Sequence, residues 1–272
     1  MVTLTPVIVG FFLIAAILWP LERRWPALAE QPRWRRDIKT DLAYWVFTPV
    51  VTQAIVETAV IVTIVLVAFA AGVPPTAESI QRFFDDPTRA VRAQPLWGQA
   101  FEALLVGDVI GYWVHRAFHR QALWKLHAVH HSSTQVDWLS SVRLHPFNDV
   151  LMRVPQALAI LLLGFPPTVL VTYVPFFAFY ATFLHANVPW NFGPLRYVIA
   201  SPAFHRWHHT TQGEGRDRNF AGLFPFLDLL FGTFYLPEGK QPRHFGVEGE
   251  QVPEGICRQL VYPFRRVRRS IG

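Results

Sequence analysis

From Asp41 to Ala71 the chain is a long, mostly apolar stretch, interrupted by Glu57 and otherwise dominated by Val, Ile, Ala, Leu and aromatic residues. A run of this kind exceeds the roughly 20 residues that cross the hydrocarbon core of a bilayer as a helix. In lipid every backbone N–H and C=O must be satisfied within the structure, so the run predicts a helix, and Pro49 predicts a tilt or bend inside it. Thr3 to Trp19 is a second apolar run, with Arg23 and Arg24 after it and no basic residue before it. That charge order is the reverse of a cleaved secretory leader and predicts a retained first helix with its N-terminus outside. Residues 97–115 form a third apolar stretch. Residues 148–163 and 168–186 form two more, parted by Gly164-Phe165-Pro166-Pro167, a stop and restart that predicts a helical hairpin. Between them, 73–96 is polar and reads as an outside loop with a short surface helix.

Composition agrees: 51% of the 272 residues are apolar and only 16% are charged, against about 25% charged in an average soluble domain. The net charge of +6 is concentrated in Arg23, Arg24, Arg33, Arg35, Arg36 and Lys39 and again in Arg265, Arg266, Arg268 and Arg269. These clusters flank apolar spans, as cytoplasmic loops of membrane proteins do, and do not form the basic face of a nucleic-acid binder. Placing 23–39 inside puts 116–147 and 187–272 on the same, cytosolic side. The expectation is an all-α membrane protein with four to five transmembrane or hairpin helices and a cytosolic helical cap, in a cell inner membrane or the endoplasmic reticulum. A single cysteine, Cys257, excludes a disulfide framework and a cysteine-ligated cluster.

The eleven histidines are grouped. His115 and His119 form one box, His127-Ala-Val-His130-His131 a second, and His205-Arg-Trp-His208-His209 a third. On a helix, residues i, i+3 and i+4 share a face, so each box aims its imidazoles in one direction. Neutral imidazole is a ligand for Fe, Zn, Cu and Ni. Eight such donors exceed the four positions of one tetrahedral zinc. A binuclear site fits better, with His145 and His185 as further donors, and an imidazole-rich redox site suggests two iron ions. Asp108 lies seven residues before His115 on the same helical face and is expected to hold a ligand histidine by its second nitrogen. Asp228 is a similar candidate. Asn187 would ligate or orient a water, or cap a helix.

The ordered set of motifs resembles the fatty acid hydroxylase/sterol desaturase superfamily over about residues 100–236. The resemblance runs through Asp108-Val-Ile-Gly-Tyr-Trp-Val-His115-Arg-Ala-Phe-His119, His127-Ala-Val-His130-His131, Arg143-Leu-His145-Pro146 and His185-Ala-Asn187. It continues through His205-Arg-Trp-His208-His209, Asn219-Phe and Asp228-Leu-Leu-Phe231-Gly232-Thr233. It implies two irons held by His115, His119, His127, His130, His131, His205, His208 and His209, with His185 matching as well. It also implies O2-dependent hydroxylation or desaturation of a lipid drawn from the bilayer. Ala181 stands where one branch of the superfamily has a further histidine, and the His-Pro at His145 is commoner in the sterol branch. No flavin or NAD fingerprint is present, so an external electron donor is expected: a ferredoxin, cytochrome b5 or a reductase.

The chain is accordingly divided into N-terminal spans (1–95), a catalytic unit (96–236) and a C-terminal cytosolic tail (237–272). Two other classes compete. A metal transporter would place its sites at the membrane midplane on broken helices, whereas these boxes sit at span ends and in polar segments. A zinc-dependent membrane hydrolase would need only one metal.

Overall fold

The computed structural model describes residues 4–265 except 33, 36, 87 and 250, and leaves aside the side chains of 167, 168 and 170–174. Arg33, Arg36, Arg266, Arg268 and Arg269 of the basic clusters lie outside the described residues. Among those described, the protein is all-helical; its only β pairing is an isolated antiparallel bridge between Thr210 and Phe245.

Helix α1 (Leu4–Arg24) ends on Arg23 and Arg24, cations that suit the negative end of a helix dipole. Helices α2 (Ile38–Phe47) and α3 (Gln53–Ala70) are one continuous helix of 33 residues. They join through a π-helical turn at Thr48–Thr52, where Pro49 has no N–H to give and the ladder shifts by one residue instead of breaking. The Thr48 hydroxyl donates to Val142 O at 3.0 Å. These two helices, α1 and α2–α3, are long and apolar enough to cross a membrane. Only 11% of each apolar window is buried, which is the reverse of a soluble core helix; Phe12, Leu13, Ile61, Leu66 and Phe69 are all exposed.

A short amphipathic helix, α4 (Ala77–Phe84), starts on Thr76, whose side chain accepts the Ser79 N–H. Next comes α5 (Leu96–Phe118), around which α6 (Gln121–His131), α7 (Pro146–Leu162) and α8 (Pro167–Leu184) pack. The break between α7 and α8 falls where the sequence predicts it, with Gly164 at φ +89°. There, a Cβ would meet the Arg89 side chain at 2.6 Å. The two helices do not pair mainly with each other: α7 lies against α3 and α5, and α8 against α5. Three short helices follow, α9 (Pro202–His208), α10 (Phe226–Leu230) and α11 (Ile256–Val261). Helix α9 is opened by Ser201, which caps the Phe204 N–H, and by Pro202 at the first helical position.

The expected boundary at residue 95 is crossed by buried charges. Asp41 on α2 accepts Arg143 Nε at 2.7 Å and Nη2 at 2.5 Å, and its other oxygen meets Arg35 Nη2 at 2.5 Å. Arg35 also forks onto Asp137. Glu22 on α1 accepts the backbone N–H of Trp138 and of Asn187. The tail is fastened too: Gly255 N–H donates to Thr40 Oγ1, and α11 packs on α2.

Candidate metal centre

Nine histidines converge in two adjoining groups, with the ligand atoms of each group lying within 4.8 Å of one another. The first group is His115, His119, His127, His131 and His208; the second is His130, His185, His205 and His209. Helical periodicity explains the division. His127 and His131, at i and i+4 on α6, enter the first group, while His130 between them turns to the second. At α9 the pattern inverts: His205 and His209 enter the second group and His208 the first. The rings of His131 and His209 stack across the divide with centroids 4.4 Å apart.

On six of the nine rings the nitrogen facing away is held by an acceptor. His115 Nδ1 donates to Phe220 O (2.8 Å), His208 Nδ1 to Arg218 O (2.8 Å), and His119 Nδ1 to Asp217 Oδ1 (2.8 Å). His127 Nδ1 donates to Asn148 Oδ1, His130 Nδ1 to Arg143 O, and His185 Nδ1 to Ala181 O. A carbonyl or carboxylate can only accept, so in a neutral ring the proton sits on Nδ1 and Nε2 is a bare lone pair.

Those lone pairs point at one another. Nε2 atoms are 3.1 Å apart between His115 and His127, and 3.2 Å apart between His130 and His185. Neither pair has a proton to share. The buried Nε2 of His119 has no hydrogen-bond partner. Bare lone pairs packed this closely repel unless a cation lies among them. Two donors about 2.1 Å from one metal ion at right angles would stand about 3 Å apart, the separation observed. Protons cannot serve instead. Burial holds His127, His130, His131, His205, His208 and His209 well below the usual imidazole range, and neighbouring imidazoles add to the effect. The rings are therefore neutral at physiological pH and ready to ligate. The donor set fits metal ions, one to each group.

Four residues expected at the site do other work. His145 lies outside both groups. Its Nδ1 accepts the Phe147 N–H as the cap of α7, which leaves Nε2 protonated and donating to Leu260 O, so no lone pair remains for a metal. Asp108 reaches no histidine; it accepts the backbone N–H of Gly222, Leu223 and Phe224. Asp228 accepts from Phe220 N, Ala221 N and Thr233 Oγ1. Asn187 clasps Leu28, accepting its N–H and donating to its carbonyl. Both aspartates shape the 220–224 segment, whose Phe220 carbonyl holds His115, so their influence on the ligand passes through the backbone.

The carboxylate that does reach a ligand is Asp217, which lies in the charged run Glu214-Gly-Arg-Asp-Arg and reads in sequence as a solvated loop. Its φ of +54°, like the +59° of Asn219, marks a backbone held in a conformation that side chains disfavour. Asn219 holds it there, donating to Phe204 O and Tyr235 O and accepting Tyr235 N–H. The single stretch 217–220 thus supplies the outer partner of three first-group ligands. A half-open cavity of about 200 Å³, bordered by His119, Trp124, His131, His208, Arg216 and Glu248, leads to this group.

A helical protein with two helices long and apolar enough to cross a membrane, and two adjoining all-histidine groups able to hold metal, is the class that fold and site define. Residues 100–233 match the fatty acid hydroxylase family. That segment, just under half of the chain, is a fatty acid hydroxylase segment. It is 33% identical over 180 residues to an ornithine lipid hydroxylase of Rhizobium tropici, covering 64% of this chain and 54% of that protein. It is 33% identical over 136 residues to the alkylglycerol monooxygenase of Danio rerio, 48% of this chain and 29% of that one. A very-long-chain aldehyde decarbonylase of Oryza sativa is 32% identical over 163 residues, 53% of this chain and 26% of its own length. The chain therefore spans about half or less of the length of these relatives. No solved structure matches it significantly.

Proposed function

We propose that this protein is an integral-membrane di-iron oxidoreductase that uses O2 to hydroxylate or desaturate a lipid. The observation that carries the reading is the convergence of unprotonated Nε2 atoms in two adjoining groups. Two redox-active ions side by side, when bound, supply the means for O2 to oxidise an unactivated C–H bond. His115, His119, His127, His131 and His208 would hold one ion, and His130, His185, His205 and His209 the other.

The remaining contributions are the chain's own. Carbonyls and one carboxylate fix the tautomer and aim of six of the nine rings. Burial keeps the imidazoles neutral. The cavity beside His119 offers polar co-reactants a way in, bordered by Arg216 and Glu248. The similar proteins are named for ornithine lipids, alkylglycerols and very-long-chain aldehydes, which favours a lipid substrate carrying a polar or ether-linked group. We place α5, α7 and α8 in the membrane beside α1 and α2–α3, with the histidines on the cytosolic side of an inner or endoplasmic-reticulum membrane. The positive charge at Arg23 and Arg24 supports this orientation. Electrons would come from a separate ferredoxin, cytochrome b5 or reductase.

The test is metal analysis of protein purified from membranes, paired with mass spectrometry of lipid extracts. Iron at two ions per chain and a lipid that gains one oxygen or loses two hydrogens are expected, the lipid change abolished by His208→Ala. A single zinc, or lipids indifferent to the protein, would sink the proposal.

A further inference from the structure

The segment after the 217–220 strap takes a path that its sequence position, in a polar cap, does not foretell. Phe220 O meets His115 near the end of α5. Two residues later, Gly222, Leu223 and Phe224 give their N–H groups to Asp108, seven residues further back on α5, or about 10 Å at 1.5 Å per residue. The Phe224 ring then packs edge-on against Phe101, 5.9 Å between centroids and about 21 Å of helix from His115. After α10 the chain climbs back: Phe231 packs on Trp113 at 4.7 Å, and Thr233 Oγ1 meets Tyr112 OH at 2.8 Å. Residues 220–233 therefore descend along α5 and return.

Everything about this excursion suits hydrocarbon. Its one ionisable residue, Asp228, is fully buried and takes three hydrogen bonds. Non-helical backbone at bilayer depth must find internal partners. Here two carboxylates receive five consecutive N–H groups, from Phe220 to Phe224. Gly222 allows the approach, since a Cβ there would stand 3.1 Å from Asp108 Oδ1. On the outer side, Phe226, Leu229 and Leu230 are exposed, Leu230 at 70%, and lie between Phe224 and Phe231, which pack on the exposed Phe101 and Trp113 of α5.

We infer that residues 221–231 form a re-entrant hairpin whose outer face, Phe226, Leu229 and Leu230, lies against the acyl chains of the bilayer. The inference rests on the reading of α5 as a membrane span. It assigns the partner of this surface as lipid hydrocarbon, continuous with the lipid-facing side of α5. It also makes the strap that aims His115, His119 and His208 one end of a membrane-inserted element.

The test uses the full-length protein in nanodiscs, with Cys257→Ser and one new cysteine at a time: Leu230→Cys, Phe101→Cys, or Glu238→Cys as an exposed polar control. Each carries an environment-sensitive fluorophore, and nitroxides are placed on the lipid acyl chains. The labels at 230 and 101 should both emit to the blue of the control and lose about half or more of their emission to the nitroxides, as groups facing hydrocarbon do. A label at 230 that matches the control while the one at 101 is quenched overturns the hairpin and leaves α5 as a span. An unquenched label at 101 overturns the span and the hairpin with it. If Leu230→Cys fails to fold, Leu229→Cys gives the same reading.

Discussion

Replacing Asp41 with Asn should weaken the protein and its second metal group together. Asp41 is fully buried, and so are the guanidinium groups it faces, with side-chain exposures of 1% for Arg143 and 4% for Arg35. Removing one member of a buried ion pair leaves an uncompensated charge and costs about 3–5 kcal/mol. Arg143 keeps a longer contact to Asp37 at 3.5 Å and a bond to Ser132, and Arg35 keeps Asp137, so the lower half of that range is expected. The Arg143 carbonyl holds His130 Nδ1, so a loosened Arg143 should also lower second-group metal affinity by about 10- to 100-fold, as lost outer partners do. Denaturant unfolding in detergent measures the first effect and chelator competition the second. A double-mutant cycle supplies the control: Arg143→Met should cost less in the Asp41→Asn background than alone, because the charges are removed together. Asp41→Asn shifting stability by under about 1 kcal/mol, with metal retention unchanged, would refute the reasoning, since the ion pair would then behave as a solvated surface pair.

Three further outcomes are expected. His131→Ala should reduce bound metal from two ions per chain to one, whereas His145→Ala should keep both and lose about 0.5–2 kcal/mol with the α7 cap, which elemental analysis and unfolding measurements separate. Asp217→Asn should retain the fold but raise the rate of metal loss to a chelator, because the carboxylate that polarises His119 is gone. In the metal-free protein, the six histidines of α6 and of the third box are held below their ordinary pKa by burial, so the unfolded chain binds protons first as the pH drops. Stability should therefore be fully present above about pH 6.5 and fall as the pH moves below it, a trend that saturating metal should blunt.

Much of the site was legible in the sequence because its signals are local. The i, i+3, i+4 spacing of the boxes needs only a helix to bring the imidazoles to one face, and Gly164 with two prolines needs only backbone sterics to end one helix and start another. The apolar run through Pro49 likewise declared one long helix, and the π turn there is a local answer to a missing N–H. What lay beyond the sequence was every relation set by distance in the chain. Helical spacing turns His130 away from His127 and His131; tertiary packing decides which imidazoles each meets, His208 for His131 and His185 for His130. Asp108 looked like a histidine's partner because both lie on one face of α5, yet the 222–224 segment reached its carboxylate first, since three unsatisfied N–H groups bind a carboxylate more fully than one imidazole can. His145 differs from the ligands only in what surrounds it: a helix start on one nitrogen and a carbonyl from the C-terminal tail on the other. By itself the sequence determined that this chain would be helical, membrane-bound and rich in imidazole donors. Tertiary structure decided which lone pairs stay bare, because a ring's tautomer is chosen by the acceptor behind it, and for His115, His119 and His127 that acceptor comes from another segment of the chain.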